Sequence, residues 1–128
     1  EKEVIERLKK LKLGLENKLH TKTGLLSGGQ RQSLALLMAT AKKPDLLLLD
    51  EHTAALDPKT SRNIMDMTRN LIDNEKITTL LISHNLRDVV RYSDRIIMLK
   101  KGKIVLELRA RDIREEDLIK AYKKELGE

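Results

Sequence analysis

The chain contains no cysteine, which excludes disulfides and thiolate metal sites and fits a reducing compartment. It has no phenylalanine or tryptophan, and Tyr92 and Tyr122 are its only tyrosines, so the aromatic platforms on which single-stranded nucleic acid stacks are absent. No apolar run reaches the roughly 18 residues needed to cross a bilayer, and the amino end does not resemble a signal peptide. The first residue is Glu1 rather than methionine, from which we expect a piece of something longer. The formal net charge of +6 favours anionic partners in general. Its positive residues are dispersed, however, with only short groups at 7–12 and 100–103. We expect a solvated basic surface and no nucleic-acid partner.

What is present is enough for one compact domain: 128 residues, 40% of them hydrophobic and nearly all of those aliphatic. We read a single domain, 1–128, with a helical part over 1–44, a partial parallel sheet over 45–108 and a terminal helix over 109–128. The stretch 25–58 organises it. There Leu26-Ser27-Gly28-Gly29-Gln30 precedes Leu46-Leu47-Leu48-Leu49-Asp50-Glu51, an aliphatic run ending in two carboxylates. Such a run after Pro44 suits a strand buried on both faces of a parallel sheet. Asp50 and Glu51 then stand at its carboxyl end, where open α/β sheets hold ligands.

In chain order, Val4, Ile5, Leu8 and Leu11 predict an amphipathic helix over 1–13 stopped by Gly14, followed by a poorly regular connection over 15–23. Ser27 is expected to cap a second helix reaching about Lys43, with Leu34, Leu37, Met38 and Ala41 inward, glycine amides open to an outside group, and Lys42 and Lys43 at its negative end. Asp57-Pro58 starts a third helix to about Asp73 that buries Ile64, Met67, Leu71 and Ile72. Residues 78–83 make the next strand, and strand, helix, strand is the right-handed parallel unit. A short helix over 85–90, a hairpin over 95–108 turning at Lys101-Gly102, and a helix over 115–126 complete an α/β fold.

Asp50 at a strand end is similar to the carboxylate that holds Mg²⁺ through water in P-loop nucleotide hydrolases, and Glu51 is placed to orient or deprotonate a water. With the Leu26–Gln30 motif before them and Thr53-Ala54-Ala55-Leu56-Asp57 and Ile82-Ser83-His84-Asn85 after, the chain resembles the carboxyl-terminal part of the ATP-binding cassette of ABC transporters. The motifs look like its signature, Walker B strand, D-loop and switch-histidine segment. The resemblance implies a partial P-loop NTPase-like sheet flanked by helices, ATP and Mg²⁺ as cofactors, a second cassette facing the first, and a transmembrane permease as partner. It implies a cytoplasmic protein peripheral to the membrane. It also implies that Ser27, Gly28, Gly29 and Gln30 bind the γ-phosphate of the opposing subunit's ATP. Glu51 would be catalytic, Asp50 would hold Mg²⁺ through water, His84 would contact and sense the γ-phosphate, and Asp57 would communicate across the dimer. His52 stands where the family commonly has proline, and His20 reads as a surface residue.

The Gly-rich loop ending in Gly-Lys-Ser/Thr, the adenine-stacking aromatic residue and the glutamine loop are not in these 128 residues. We therefore expect the isolated chain to hydrolyse ATP poorly and to self-associate through the cut sheet. Two other readings stand beside this one. The chain could be a module completing another protein's ATP site, or part of a chromosome-structure or repair ATPase. The long heptad-bearing insertion of the latter class is missing upstream of the signature.

Overall fold

The computed structural model describes residues 1–127. It divides into two compact units, residues 1–80 and 81–128, which are taken separately.

The first unit begins with α1 (Lys2–Lys10), shorter than the periodicity predicts. Lys12 takes a left-handed φ of 54° before Gly14 does so at 70°, so the reversal comes early and Gly14 instead opens a 3-10 turn, Leu15–Asn17. Leu8, Leu15 and Leu26 form a small core against which Leu34 and Leu37 pack. After a second 3-10 turn, Thr23–Leu25, α2 runs from Gly28 to Thr40. Its end falls short of Lys42 and Lys43, which therefore lie beyond the last helical turn.

The buried face of α2 differs from the one expected. Gly29, Ser33, Leu36 and Thr40 are buried, whereas Met38 is 69% exposed and Ala41 is exposed at the cap. Small residues let α2 approach α3 closely, and the hydroxyls can be buried because each has a partner on the preceding turn. Ser33 Oγ donates to the Gly29 carbonyl at 2.8 Å, and Thr40 Oγ1 to that of Leu36 at 2.8 Å.

Strand β1 (Leu47–Asp50) alternates between buried and exposed residues, with Leu48 64% exposed, which corrects the expectation of a strand covered on both faces. Only one face of this two-stranded sheet carries packing; a strand covered on one side shows the period of two rather than a uniformly buried run. Asp57 caps α3 (Pro58–Glu75), its carboxylate accepting from the Thr60 amide at 3.1 Å, with Pro58 in the first turn as expected. Ile64, Met65 and Thr68 are the buried residues of α3, while Met67, Leu71 and Ile72 are half-buried. Lys76, left-handed at φ 52°, ends the helix. β2 (Thr79–Ile82) pairs with β1, the Leu47 amide donating to the Thr78 carbonyl at 2.9 Å, and α3 is the crossover of this parallel strand–helix–strand unit.

In the second unit α4 (Leu86–Tyr92) is capped by Asn85, whose side chain accepts from the Asp88 amide. β3 (Arg95–Lys100) and β4 (Lys103–Arg109) pair antiparallel. Lys101 and Gly102 both have positive φ, as a two-residue hairpin turn requires. A register shift near Met98 and Leu99 kinks the ladder. Arg95 and Glu107 form an ion pair across the strands. α5 (Glu115–Leu126) lies where predicted, with acidic residues in its first turn, lysines in its last and left-handed Gly127 beyond it. Ile96, Met98, Ala110 and Leu118 form the core of this unit. Leu118 is 1% exposed, and burying such a side chain stabilises by about 1.5–3 kcal/mol.

Candidate functional site

The signature segment is built as a reciprocal cap. Ser27 has an extended backbone, its Oγ accepts from the Gln30 amide at 3.2 Å, and Gln30 Oε1 accepts from the Ser27 amide at 3.0 Å. Gln30 Nε2 donates to the Leu13 carbonyl at 3.1 Å, so both ends of this side chain hold the helix start in place. Arg31 Nη1 donates to the Leu26 carbonyl at 2.8 Å, tying the segment from the other side. The first amides of a helix have no intrahelical acceptor. Here Gln30's is taken by Ser27, leaving those of Gly28 and Gly29 as the donors at the helix start.

Two glycines at this point have a packing reason that the sequence does not reveal. A Cβ on Gly29 would lie 2.6 Å from Thr60 Cγ2, and one on Gly28 would lie 3.1 Å from Leu56 Cδ2. The α2 start therefore sits directly on the segment that leads into α3.

Asp50 is the last residue of β1 and is exposed; Glu51 follows, half-buried and left-handed with φ 51°. For a residue with a Cβ this conformation is disfavoured by about 1–2 kcal/mol, and such strain concentrates where a side chain must be aimed. Gly28, Arg31, Gln32, Glu51, His52 and Leu56 are among the residues around an open cleft of about 240 Å³. The fold thus brings the signature helix and the carboxylate pair's Glu51 to one cleft within the first unit. His52 Nε2 lies 3.2 Å from Thr68 Oγ1, and burial pushes the imidazole pKa below its usual value, favouring the neutral ring. Asp57 is fully exposed, and hydrogen bonds from Thr60 hold its carboxyl below the usual range.

His84 belongs to the second unit, exposed just before the Asn85 cap; the Asn85 amide donates to Ser83 Oγ at 3.1 Å. Sequence reasoning gave no role to Arg31 and Gln32, which continue the Leu26–Gln30 motif, and it overlooked Thr68, which nothing local marks.

Among the described residues no three His, Asp or Glu side chains converge to hold a metal ion. Mg²⁺ commonly keeps several waters and is held by one or two carboxylates together with substrate phosphates; Asp50 is the one carboxylate here that would hold it, through water.

A strand–helix–strand unit with carboxylates at the strand end and a capped helix start beside them has the arrangement in which open α/β folds hold ligands. The family described as "ABC transporter" matches residues 1–54. The "Tyrosine transport ATP-binding protein" of Clostridioides difficile is 48% identical over 105 residues, covering 82% of this chain and 42% of that protein. The "Phosphonates import ATP-binding protein PhnC" of Lactococcus lactis is 36% identical over 114 residues, 89% of this chain and 46% of that one. A dimeric bacterial ABC transporter cassette superposes with a TM-score of 0.60 at 37% identity, covering 70% of this chain and 38% of its own. The same cassette is also known in a post-hydrolysis state bound to ADP and Pi. By sequence and by fold the chain corresponds to the carboxyl-terminal part of the ABC-type ATP-binding cassettes. It spans less than half the length of each of these relatives.

Proposed function

We propose that this chain is the signature and Walker B part of an ABC-transporter ATPase subunit that couples ATP binding and hydrolysis to movement of a solute across a membrane. The observation that carries the reading is the cleft in which strained Glu51 faces the start of the signature helix. In this reading the helix start presents the Gly28 and Gly29 amides and the Ser27 hydroxyl to the γ-phosphate of ATP on an opposing cassette, using the positive end of the helix dipole. Gln30 acts by holding that surface, because its side chain is engaged at both ends. Glu51 would accept a proton from the attacking water, Asp50 would hold Mg²⁺ through water, His84 would contact the γ-phosphate, and Asp57 would communicate across the dimer while capping α3.

The whole assembly would pair two cassettes beneath a permease, at the cytoplasmic face. No helix among the described residues is long and apolar enough to cross a membrane, so a membrane partner would supply the path. The test supplies the amino-terminal half of a cassette to this chain and measures ATP turnover. Activity should appear, and Glu51→Gln should keep ATP binding while lowering turnover by about 10²- to 10⁴-fold, the usual cost of losing a general base. Undiminished hydrolysis by Glu51→Gln would remove Glu51 from the mechanism.

A further inference from the structure

We propose that His52 is a positioning residue for Glu51: its imidazole ties the loop after β1 to the middle of α3 and thereby holds Glu51 in its left-handed conformation. The role rests on the reading of Glu51 given above, and the geometry is independent of that reading. Glu51 has φ 51°, a conformation that a residue with a Cβ keeps only where its surroundings enforce it. One restraint lies in the loop itself, where the Ala54 amide donates to the Glu51 carbonyl at 3.1 Å. A further restraint, reaching from the loop to α3, comes from the very next side chain.

His52 Nε2 lies 3.2 Å from Thr68 Oγ1, sixteen positions along the chain. Thr68 is 2% exposed and donates its hydroxyl proton to the Ile64 carbonyl at 2.6 Å. A hydroxyl has a single proton, so Thr68 accepts from His52, and the imidazole carries its proton on Nε2. The tie joins loop to helix: α3 is a long helix whose buried face includes Ile64, Met65 and Thr68, and it forms a rigid post. A proline at this position, common in the resembled family, could not make the bond. In this chain a side-chain hydrogen bond does the work of fixing the residue after the carboxylate.

The test uses two kinds of readout. On this chain, long-range proton–nitrogen spectra should show His52 protonated on Nε2, and backbone couplings should report a positive φ at Glu51. His52→Phe keeps a ring and loses the donor; Thr68→Val keeps the shape and loses the acceptor. Both should leave a cooperative unfolding transition while Glu51 loses its fixed positive φ. His52→Gln, whose amide can donate at similar reach, should restore it. In the cassette completed with an amino-terminal half, His52→Phe should lower kcat on the order of ten- to a hundredfold, with KM for ATP little changed and His52→Gln recovering the rate. Protonation on Nδ1 in the parent chain, or an unchanged Glu51 coupling in folded His52→Phe, overturns the proposal. Full turnover by Glu51→Gln instead overturns the catalytic reading of Glu51, leaving the tie between His52 and Thr68 to be judged by the spectra alone.

Discussion

At the scale of single residues, Gly29 shows how one missing methyl fixes a site. A Cβ there would meet Thr60 Cγ2 at 2.6 Å, closer than any real contact, at a junction where both partners belong to helix starts. Gly29→Ala should therefore cost about 1–3 kcal/mol, the range for overpacking, measured as a lower midpoint in denaturant. Thr60→Ser removes the offending methyl and keeps the hydroxyl, so the double variant should regain most of that loss. Gly28→Ala meets only the flexible end of Leu56 and should be milder. A double variant no more stable than Gly29→Ala would show that the strain lies elsewhere.

At the scale of elements, Asp88 sits in the first turn of α4 with its side chain buried. Burial raises its pKa above the model-compound value, an effect partly offset by Arg91 and Arg87. The folded chain thus holds this proton more tightly than the unfolded chain does. Its contribution to stability is fully present below the unfolded pKa of about 3.8 and is lost as pH rises through the folded value. Compared with Asp88→Asn, the parent should gain stability as pH is lowered toward that value, and paired denaturation curves at several pH values decide it; parallel curves would mean that Asp88 is solvated. Helix α5, the Ser27 and Asp57 caps and the hairpin turn were legible in the sequence, because caps and turns are set by residues within four positions of each other. The inward face of α2 was not. Its burial depends on small Gly29, Ser33 and Thr40 meeting another helix and on back-bonded hydroxyls, while a hydropathy reading favours Met38, which the structure leaves outside. Asp50 and Glu51 at the strand end were legible from the aliphatic run; the anchor at Thr68 was not, since it lies far along the chain.

At the scale of the whole molecule, Leu48 of β1, Leu80 of β2 and Leu46 just before β1 are each more than half exposed. Apolar surface in a contiguous sheet face favours association. The chain should self-associate in light scattering as concentration rises, and Leu48→Thr with Leu80→Thr should shift it toward the monomer without altering the far-ultraviolet spectrum. A parent chain that stays monomeric at high concentration would contradict this. The hairpin turn at Lys101-Gly102 has a consequence for the order of events during folding. Strands β3 and β4 meet across two residues and can zip in about 1–10 μs, whereas β1 and β2 meet only after α3 has closed a long loop between them. Strand β1, with Leu48, stays unpaired until β2 has docked. During refolding, the interval in which the chain can be captured by a neighbour therefore includes the closing of that loop by α3, whose start the Asp57 cap favours.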